Sequence, residues 1–157
     1  MLVKRPATLQ DTLSLKELPP RGIAWHELLL RGLPYKSLRS AAKTLGLKES
    51  ELAAHLGLKG SQLAARKRAR RLNAPESDLL HAIALAYVRL AGFKGSAEAR
   101  EWLLKPCDML RNTRPIDLLR TRLGTEYVST AIARIRPAPT FAMHVEEDEG
   151  DDEEDFE

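Results

Sequence analysis

The chain has 157 residues, of which 43% are apolar, so it can form one domain or two small ones and is not disordered throughout. Aromatic residues make up only 5%, and the apolar content depends on Leu and Ala, which favours helices over strands. Cys107 is the only cysteine, which excludes an intrachain disulfide, and no apolar run has membrane-spanning or secretory length, so we expect a cytoplasmic protein without a membrane partner.

The formal net charge of +3 conceals a separation of charge along the chain. Ten of the 22 acidic residues lie between Glu146 and Glu157, so residues 1–145 contain all 25 basic residues and only 12 acidic ones. A body this basic, followed by an acidic tail, predicts a polyanionic partner. A merely well-solvated surface is the less favoured alternative.

The first half of the chain predicts an arm followed by short helices. Residues 1–21 contain three prolines and no clear period, so we expect a loosely ordered arm, with packing of Leu13, Leu15 and Leu18 on the body as an open alternative. Helical spacing of apolar residues then predicts helices over 23–31, 35–45 and 49–56, and a fourth that starts near residue 61. The first three are followed by glycines, which commonly end helices: Gly32, Gly46 and Gly57.

The second half predicts a long helix and three shorter ones. Asn73 and Glu76 have the spacing of a capping box, which predicts a helix that starts at Ala74 and is broken by Gly92 and Gly95. The later helices are expected to start at or near Ser96, Pro115 and Thr125, with Gly124 closing the second of them. The prediction is an all-α fold in four parts: arm (1–21), helix-turn-helix domain (22–95), small helical domain (96–137) and disordered acidic tail (138–157).

Residues 49–68 have the features of a helix-turn-helix motif. Ala53 leaves room where two helices would cross closely, and Gly57 permits the chain to reverse in a short turn. In this motif the second helix enters the major groove of DNA, and its N-terminal residues face the base edges. The side chains expected at the bases are Lys59, Ser61, Gln62 and Ala65.

Five of the six residues that follow are basic, and phosphates are their natural partners. These expected DNA contacts are Arg66, Lys67, Arg68, Arg70 and Arg71. Arg66 stands where most such motifs have a branched apolar residue, so the helix should pack loosely there or bury only the arginine stem. The alternative is a solvated basic face in a protein adaptor that never meets DNA.

Patterns typical of catalysis or metal binding are weak. The four histidines lie far apart, and no His or Cys pair has metal-ligand spacing. Ser77, Asp78 and His81 lie close in sequence, but no nucleophile elbow or oxyanion loop accompanies them, so ordinary capping and surface roles are favoured. No glycine-rich phosphate loop is present. We therefore expect a protein that is not an enzyme and needs neither cofactor nor metal.

Short motifs follow one another in a recognisable order. The first half contains Gly32-Leu33-Pro34, Leu45-Gly46-Leu47, Leu56-Gly57-Leu58 and Leu63-Ala64-Ala65-Arg66. The second half contains Trp102-Leu103, Lys105-Pro106, Met109-Leu110 and Arg114-Pro115-Ile116-Asp117-Leu118-Leu119. Through these motifs, residues 30–136 resemble the Xre/MbcA/ParS family of antitoxins, with a helix-turn-helix region followed by a toxin-binding domain.

The resemblance implies a partner toxin of the RES type or a relative, which consumes or transfers parts of NAD. It implies that the protein blocks the toxin's site sterically and represses its own operon. Where the family often has a glycine pair, this chain has Arg111-Asn112. The expected toxin contacts are Trp102, Met109, Leu110, Arg111, Asn112, Arg114, Arg134, Arg136 and Phe141. For Trp102, a place in the core is favoured over one at the interface.

We further expect a homodimer that joins through residues 79–91 and the helices after Ser96. Such a dimer would present two recognition helices to operator half-sites ~34 Å apart. A free-standing helix-turn-helix regulator without a toxin is the main alternative. For the acidic tail, a disordered solubilising segment is favoured over a phosphate mimic that contacts the basic residues between Arg66 and Arg71 or a basic surface of the toxin.

Overall fold

The computed structural model describes residues 5–138, and the regular elements in this part of the chain are helices. A 3₁₀ turn, Asp108–Leu110, lies between the seventh and eighth of them. The helices are α1 (Leu9–Leu13), α2 (Ile23–Arg31), α3 (Tyr35–Leu45), α4 (Glu49–His55), α5 (Ser61–Ala69), α6 (Ala74–Lys94), α7 (Ser96–Leu104), α8 (Pro115–Leu118) and α9 (Arg122–Ile135). The predicted all-α fold is confirmed. No helix in residues 5–138 is long and apolar enough to cross a membrane.

The longest helix, α6, is the centre of the fold. Its capping box is confirmed, because Asn73 Oδ1 accepts a hydrogen bond from the Glu76 amide at 3.0 Å and the Glu76 carboxylate accepts one from the Asn73 amide at 3.2 Å. Helices α1, α2, α3, α7 and α9 pack against α6. Its buried side chains, among them Ile83 and Leu90, therefore belong to one core that joins both halves of the chain.

Of the two glycines predicted to break α6, Gly95 ends the helix and Gly92 does not. The helix continues through Gly92 to Lys94 and stops at Gly95, whose φ of 85° suits glycine. A single glycine in a helix costs only about 0.5–1 kcal/mol, which the packing of α6 on α7 can offset. Gly95 also occupies the cap position of α7, so Ser96 is the first residue of that helix and not its cap.

The N-terminal arm is partly helical, and the expectation of loose order is wrong for α1. Thr8 caps this helix by accepting a hydrogen bond from the Asp11 amide, and Leu13 is completely buried. The Ser37 hydroxyl donates to the Leu13 carbonyl at 2.6 Å, which fixes α1 to α3. A helix of five residues is too short to produce a visible period, so only tertiary contacts reveal it.

The C-terminal boundaries also differ. Helix α8 has only four residues, and α9 starts at Arg122, where the Thr121 hydroxyl accepts a hydrogen bond from the Gly124 amide at 2.9 Å. Thr125 thus lies inside α9 and does not cap it. Gly124 is buried in the first turn, where an added Cβ would lie 1.9 Å from the Leu118 carbonyl oxygen. This glycine permits α8 and α9 to approach closely and does not end a helix.

Candidate nucleic-acid interface and partner-binding surface

Helices α4 and α5 have the geometry expected of the motif. Ala53 is completely buried at the crossing, and Gly57 adopts a φ of 79° in the turn. The Leu58 amide donates to the Ala53 carbonyl at 2.9 Å, and the Leu58 side chain is buried. The turn is therefore closed by backbone bonding and anchored by an apolar side chain immediately before α5.

The start of α4 is fixed to α3 by a polar contact. The Tyr35 hydroxyl donates to the Glu49 carboxylate, which also pairs with Arg39 at 3.5 Å. Burial, followed by the hydrogen bond to Glu49, raises the pKa of Tyr35 to about 12. Tyr35 therefore remains a neutral hydrogen-bond donor at neutral pH, and this contact persists.

Helix α5 presents the predicted base-reading residues to solvent. Lys59, Ser61 and Gln62 are exposed, and Ala65 is half-buried. Helical geometry places Ser61, Ala65 and Arg68 on one face, with Leu63 on the opposite, inward face. The outer face of α5 is thus available to a DNA groove, and the small side chain of Ala65 permits close approach of the helix to the bases.

The chain after α5 turns back and joins the body. Arg70 has a left-handed φ of 58°, and its carbonyl accepts a hydrogen bond from the Tyr35 amide at 3.0 Å. The Arg71 guanidinium donates to the Arg31 carbonyl at 3.2 Å, which brings Arg71 to the end of α2. An added Cβ on Gly32 would lie 2.0 Å from the Leu72 carbonyl oxygen, so this junction requires glycine.

Four of the five clustered basic residues are exposed: Lys67, Arg68, Arg70 and Arg71. We call these four the basic cluster. Arg66 differs, because its Nε donates to the Glu76 carboxylate at 2.8 and 3.0 Å. Glu76 is 6% exposed, so Arg66 pairs with a buried carboxylate on α6. The sequence predicted loose packing or a buried arginine stem at this position, but not this ion pair.

The expected toxin contacts include a tight turn between α7 and α8. The Cys107 amide donates to the Thr113 carbonyl at 3.1 Å, which closes the turn. Arg111 and Asn112 have φ values of 54° and 57°, the left-handed region that glycine prefers. Both residues are exposed, as is Met109. We call residues 107–113 the tight turn.

The remaining expected contacts are scattered. Leu110 is buried in the core, so it offers almost no surface and is corrected from a toxin contact to a core residue. Trp102 is partly buried against the core, as favoured, and Arg134 and Arg136 are exposed at the end of α9. Phe141 and most of the acidic tail lie outside the described residues.

Arg114 is held within the chain. Its guanidinium donates to both carboxylate oxygens of Asp117, at 2.9 and 3.1 Å, and Asp117 lies 3.5 Å from His55 Nδ1. Burial lowers the pKa of His55, while the charge of Asp117 acts in the opposite direction. These side chains connect α4 with α8, so they lie where the two halves meet.

Helix α9 carries two exposed apolar residues that the sequence analysis missed. Leu123 is 55% exposed and Tyr127 is 58% exposed, and they lie one turn apart on the face that continues to Arg134. We call Leu123, Tyr127 and Arg134 the α9 stripe. The 3₁₀ turn also contacts α9. Correct placement of α9 at Arg122 would have revealed the stripe, because Leu123 was assigned to the preceding helix.

The Ser77, Asp78 and His81 grouping has a structural role. The Ser77 hydroxyl accepts from the Leu33 amide at 2.8 Å and donates to the Asn73 carbonyl at 2.7 Å, so it is fully engaged. His81 packs on Trp25 with ring centroids 4.8 Å apart, and burial lowers its pKa. Within residues 5–138, no cluster of three or more His, Cys, Asp or Glu could hold a metal ion.

Comparison with known families covers both halves. Residues 24–84 match the family model for the antitoxin Xre-like helix-turn-helix domain. Residues 91–137 match the model for the antitoxin Xre/MbcA/ParS C-terminal toxin-binding domain. No curated protein matches the chain significantly. Both family descriptions name antitoxin domains, and the two models match successive parts of the chain. The chain belongs to the Xre/MbcA/ParS family of antitoxins.

Proposed function

We propose that this cytoplasmic antitoxin neutralises a RES-like, NAD-consuming toxin by occluding its active site, and that it represses its own operon by binding operator DNA. The observation that carries the proposal is the combination, in one chain, of an exposed basic recognition helix and a toxin-binding domain. Both activities are binding events, so the protein needs no catalytic group of its own.

The basic cluster supports the DNA-binding part. Its four cations are exposed at the C-terminal end of α5 and just beyond it, while Ser61 and Gln62 are exposed at the N-terminal end. Such an arrangement lets the cations contact phosphates while Gln62 reaches base edges, where Gln pairs well with adenine. Each phosphate that is neutralised adds about 0.9 to the slope of log affinity against log salt concentration.

A gel-shift or anisotropy titration against the promoter of its own operon tests this part. Replacement of Lys67, Arg68, Arg70 and Arg71 by Ala should abolish detectable binding, or reduce the salt slope by up to about 3.6. The control variant replaces Lys16, Arg21, Lys94 and Lys105 by Ala, which removes the same charge from outside both the motif and the groove between α6 and α9. Equal losses in the two variants would contradict a dedicated DNA face.

The α9 stripe and the tight turn support the toxin-binding part. Exposed apolar side chains beside arginines are typical of binding hot spots, and Met109, Leu123 and Tyr127 are exposed in this domain. An interface of ordinary size, on the order of 1,600 Å², is large enough to cover a substrate pocket. Docking through these two surfaces can therefore block the toxin by covering its site.

Co-expression with the neighbouring reading frame tests toxin neutralisation. The wild-type chain should rescue growth, copurify with the toxin and stop its consumption of NAD in vitro. Leu123→Ser with Tyr127→Ser should abolish rescue. The control is Ile23→Ser with Leu30→Ser, because these residues of α2 are equally exposed and lie in the other half. A neighbouring product that is harmless alone would favour the free-standing regulator.

We also propose that the protein acts as a homodimer. Two copies would place two α5 helices on half-sites one helical turn apart, which a single copy cannot do. A groove of about 580 Å³ between α6 and α9, bordered by Leu85 and Arg89, supports a seam on this side. Light scattering should give twice the mass of the chain, and Leu85→Glu should give the monomer.

A further inference from the structure

We propose that Arg66 and Glu76 are positioning residues, and that their ion pair sets the orientation of α5 for DNA binding. The proposal rests on the proposed DNA-binding function and names the contact on which its geometry depends. Arg66 then acts through Glu76 and not through a phosphate.

The attachment of α5 to the body is unusually polar. None of its nine residues is buried, whereas the neighbouring α3 buries six of eleven. Only Leu63 among the apolar residues of α5 packs against the core, and it does so partly. Backbone contacts fix the chain before and after the helix, through Leu58 and Leu72. These contacts at its ends limit the position of α5, but the rotation of the helix about its own axis is fixed by contacts of its side chains.

The Arg66–Glu76 pair is suited to fix that rotation. Arg66 lies three residues after Leu63, so both point to the inward face. The Glu76 carboxylate accepts from Arg66 Nε and from the Asn73 amide, which ties α5 to the capped first turn of α6. Because Glu76 is almost completely buried, removal of Arg66 would leave an uncompensated charge in the core.

The rotation matters because it decides which residues face the groove. With Arg66 directed inward, Ser61, Ala65 and Arg68 face outward. If the pair were lost, α5 would be free to rotate, and the outward face would no longer be held in register with the phosphates. Rotation by a fraction of a turn moves the side-chain donors away from the base edges, because hydrogen bonds to the bases form only at donor–acceptor distances of about 3 Å.

The test compares the salt dependence of promoter binding among matched variants. Arg66→Met and Glu76→Gln should each weaken binding about tenfold, the loss expected when one charge-assisted hydrogen bond is removed. The salt slope should stay at the wild-type value, because no phosphate contact is lost. The double variant should bind no more weakly than either single variant, and Arg66→Lys should retain most of the affinity.

Two features keep the result interpretable. Gln at position 76 can still complete the capping box, so Glu76→Gln should fold. The control variants Lys105→Met and Glu101→Gln break an exposed ion pair at the end of α7, outside the groove between α6 and α9, and should leave DNA binding unchanged. Amide hydrogen exchange supplies a readout that needs no DNA: Glu76→Gln should accelerate exchange in residues 61–69 but not in α9.

Two results would overturn the proposal. A fall of about 0.9 in the salt slope for Arg66→Met, with normal affinity for Glu76→Gln, would make Arg66 a direct phosphate contact. Unchanged exchange in α5 of Glu76→Gln would show that the pair does not hold the helix. Absence of promoter binding by the wild-type chain would instead refute the proposed DNA-binding function, while the exchange measurement would still decide whether α5 is held by the pair.

Discussion

Helices α5 and α9 serve different partners in our proposal, and they are attached to the body in opposite ways. Helix α5 buries no residue and depends on an ion pair, whereas α9 buries Gly124, Val128, Ala131 and Ile132. The stabilisation from apolar burial grows with the area that is buried, whereas the attraction between exposed charges is weakened by salt. Surface substitutions on α5 should therefore reduce DNA affinity at little cost in stability, whereas inward substitutions on α9 should unfold the toxin-binding half.

The largest effect is expected from Ile132→Ala. Ile132 is 1% exposed, so truncation should lower the free energy of unfolding by about 2–5 kcal/mol, measured by urea denaturation. The matched control is Ile23→Ala, because Ile23 is 69% exposed and its truncation should change stability by less than about 0.5 kcal/mol. Similar losses in both variants would contradict the apolar attachment of α9.

A smaller loss is expected from Gly124→Ala. The added methyl group meets the Leu118 carbonyl, a backbone atom that cannot move aside, so α9 must shift from α8 at a cost of about 1–3 kcal/mol. Gly92→Ala is the control, since its methyl group meets no atom within 4 Å and should stabilise α6 by about 0.5–1 kcal/mol. Thermal unfolding of both variants measures the difference, and the same sign in both would refute the close-contact role of Gly124.

Gly124 illustrates which parts of the fold the sequence could predict. Local signals were sufficient for the start of α6 and the turn between α4 and α5, because capping boxes and turn glycines are encoded within a few residues. The role of Gly124 depends on a contact with Leu118, and a glycine looks the same at a helix end as at a close crossing. The start of α9 was therefore predicted near Thr125, whereas the helix begins at Arg122.

The candidate sites show the same limit. The exposure of the basic cluster followed from charge density and the motif, but the pairing of Arg66 with Glu76 did not, because Glu76 had already been assigned to the capping box. One carboxylate fills both roles, and spacing alone predicts only the local one. Likewise, five residues are too few to show a helical period, so α1 could be recognised only from its contacts with α3 and α6.

Acidification should lower the stability of the fold, because two histidines that pack between helices are neutral in the folded state. Burial lowers the pKa of both His55, between α4 and α8, and His81, which packs on Trp25 of α2. The unfolded chain binds these protons near pH 6.5, so the stability from the neutral histidines is present above that pH and is lost as the pH falls through the folded values.

Urea midpoints at about pH 7.5 and 5.5 measure this effect. The wild-type chain should lose more stability between the two pH values than the variant His55→Asn with His81→Phe, because the carboxylates that titrate in the same range are common to both. An identical loss in the two proteins would show that the histidines do not contribute.

The smallest expected change concerns the tight turn, and it separates stability from toxin binding. Arg111 has a left-handed backbone conformation, which destabilises the folded state by about 1–2 kcal/mol for any residue other than glycine. Glycine removes this strain, but it also makes the unfolded chain more flexible, so the net gain in stability is smaller. Arg111→Gly should therefore raise stability by less than about 1 kcal/mol while weakening toxin binding, if the exposed guanidinium contacts the toxin. Ser14→Gly relieves similar strain far along the chain, at a φ of 52° in the N-terminal arm, and should leave toxin binding unchanged. Calorimetric titration with the toxin distinguishes the two variants: equal toxin affinities would mean that the Arg111 guanidinium does not contact the toxin.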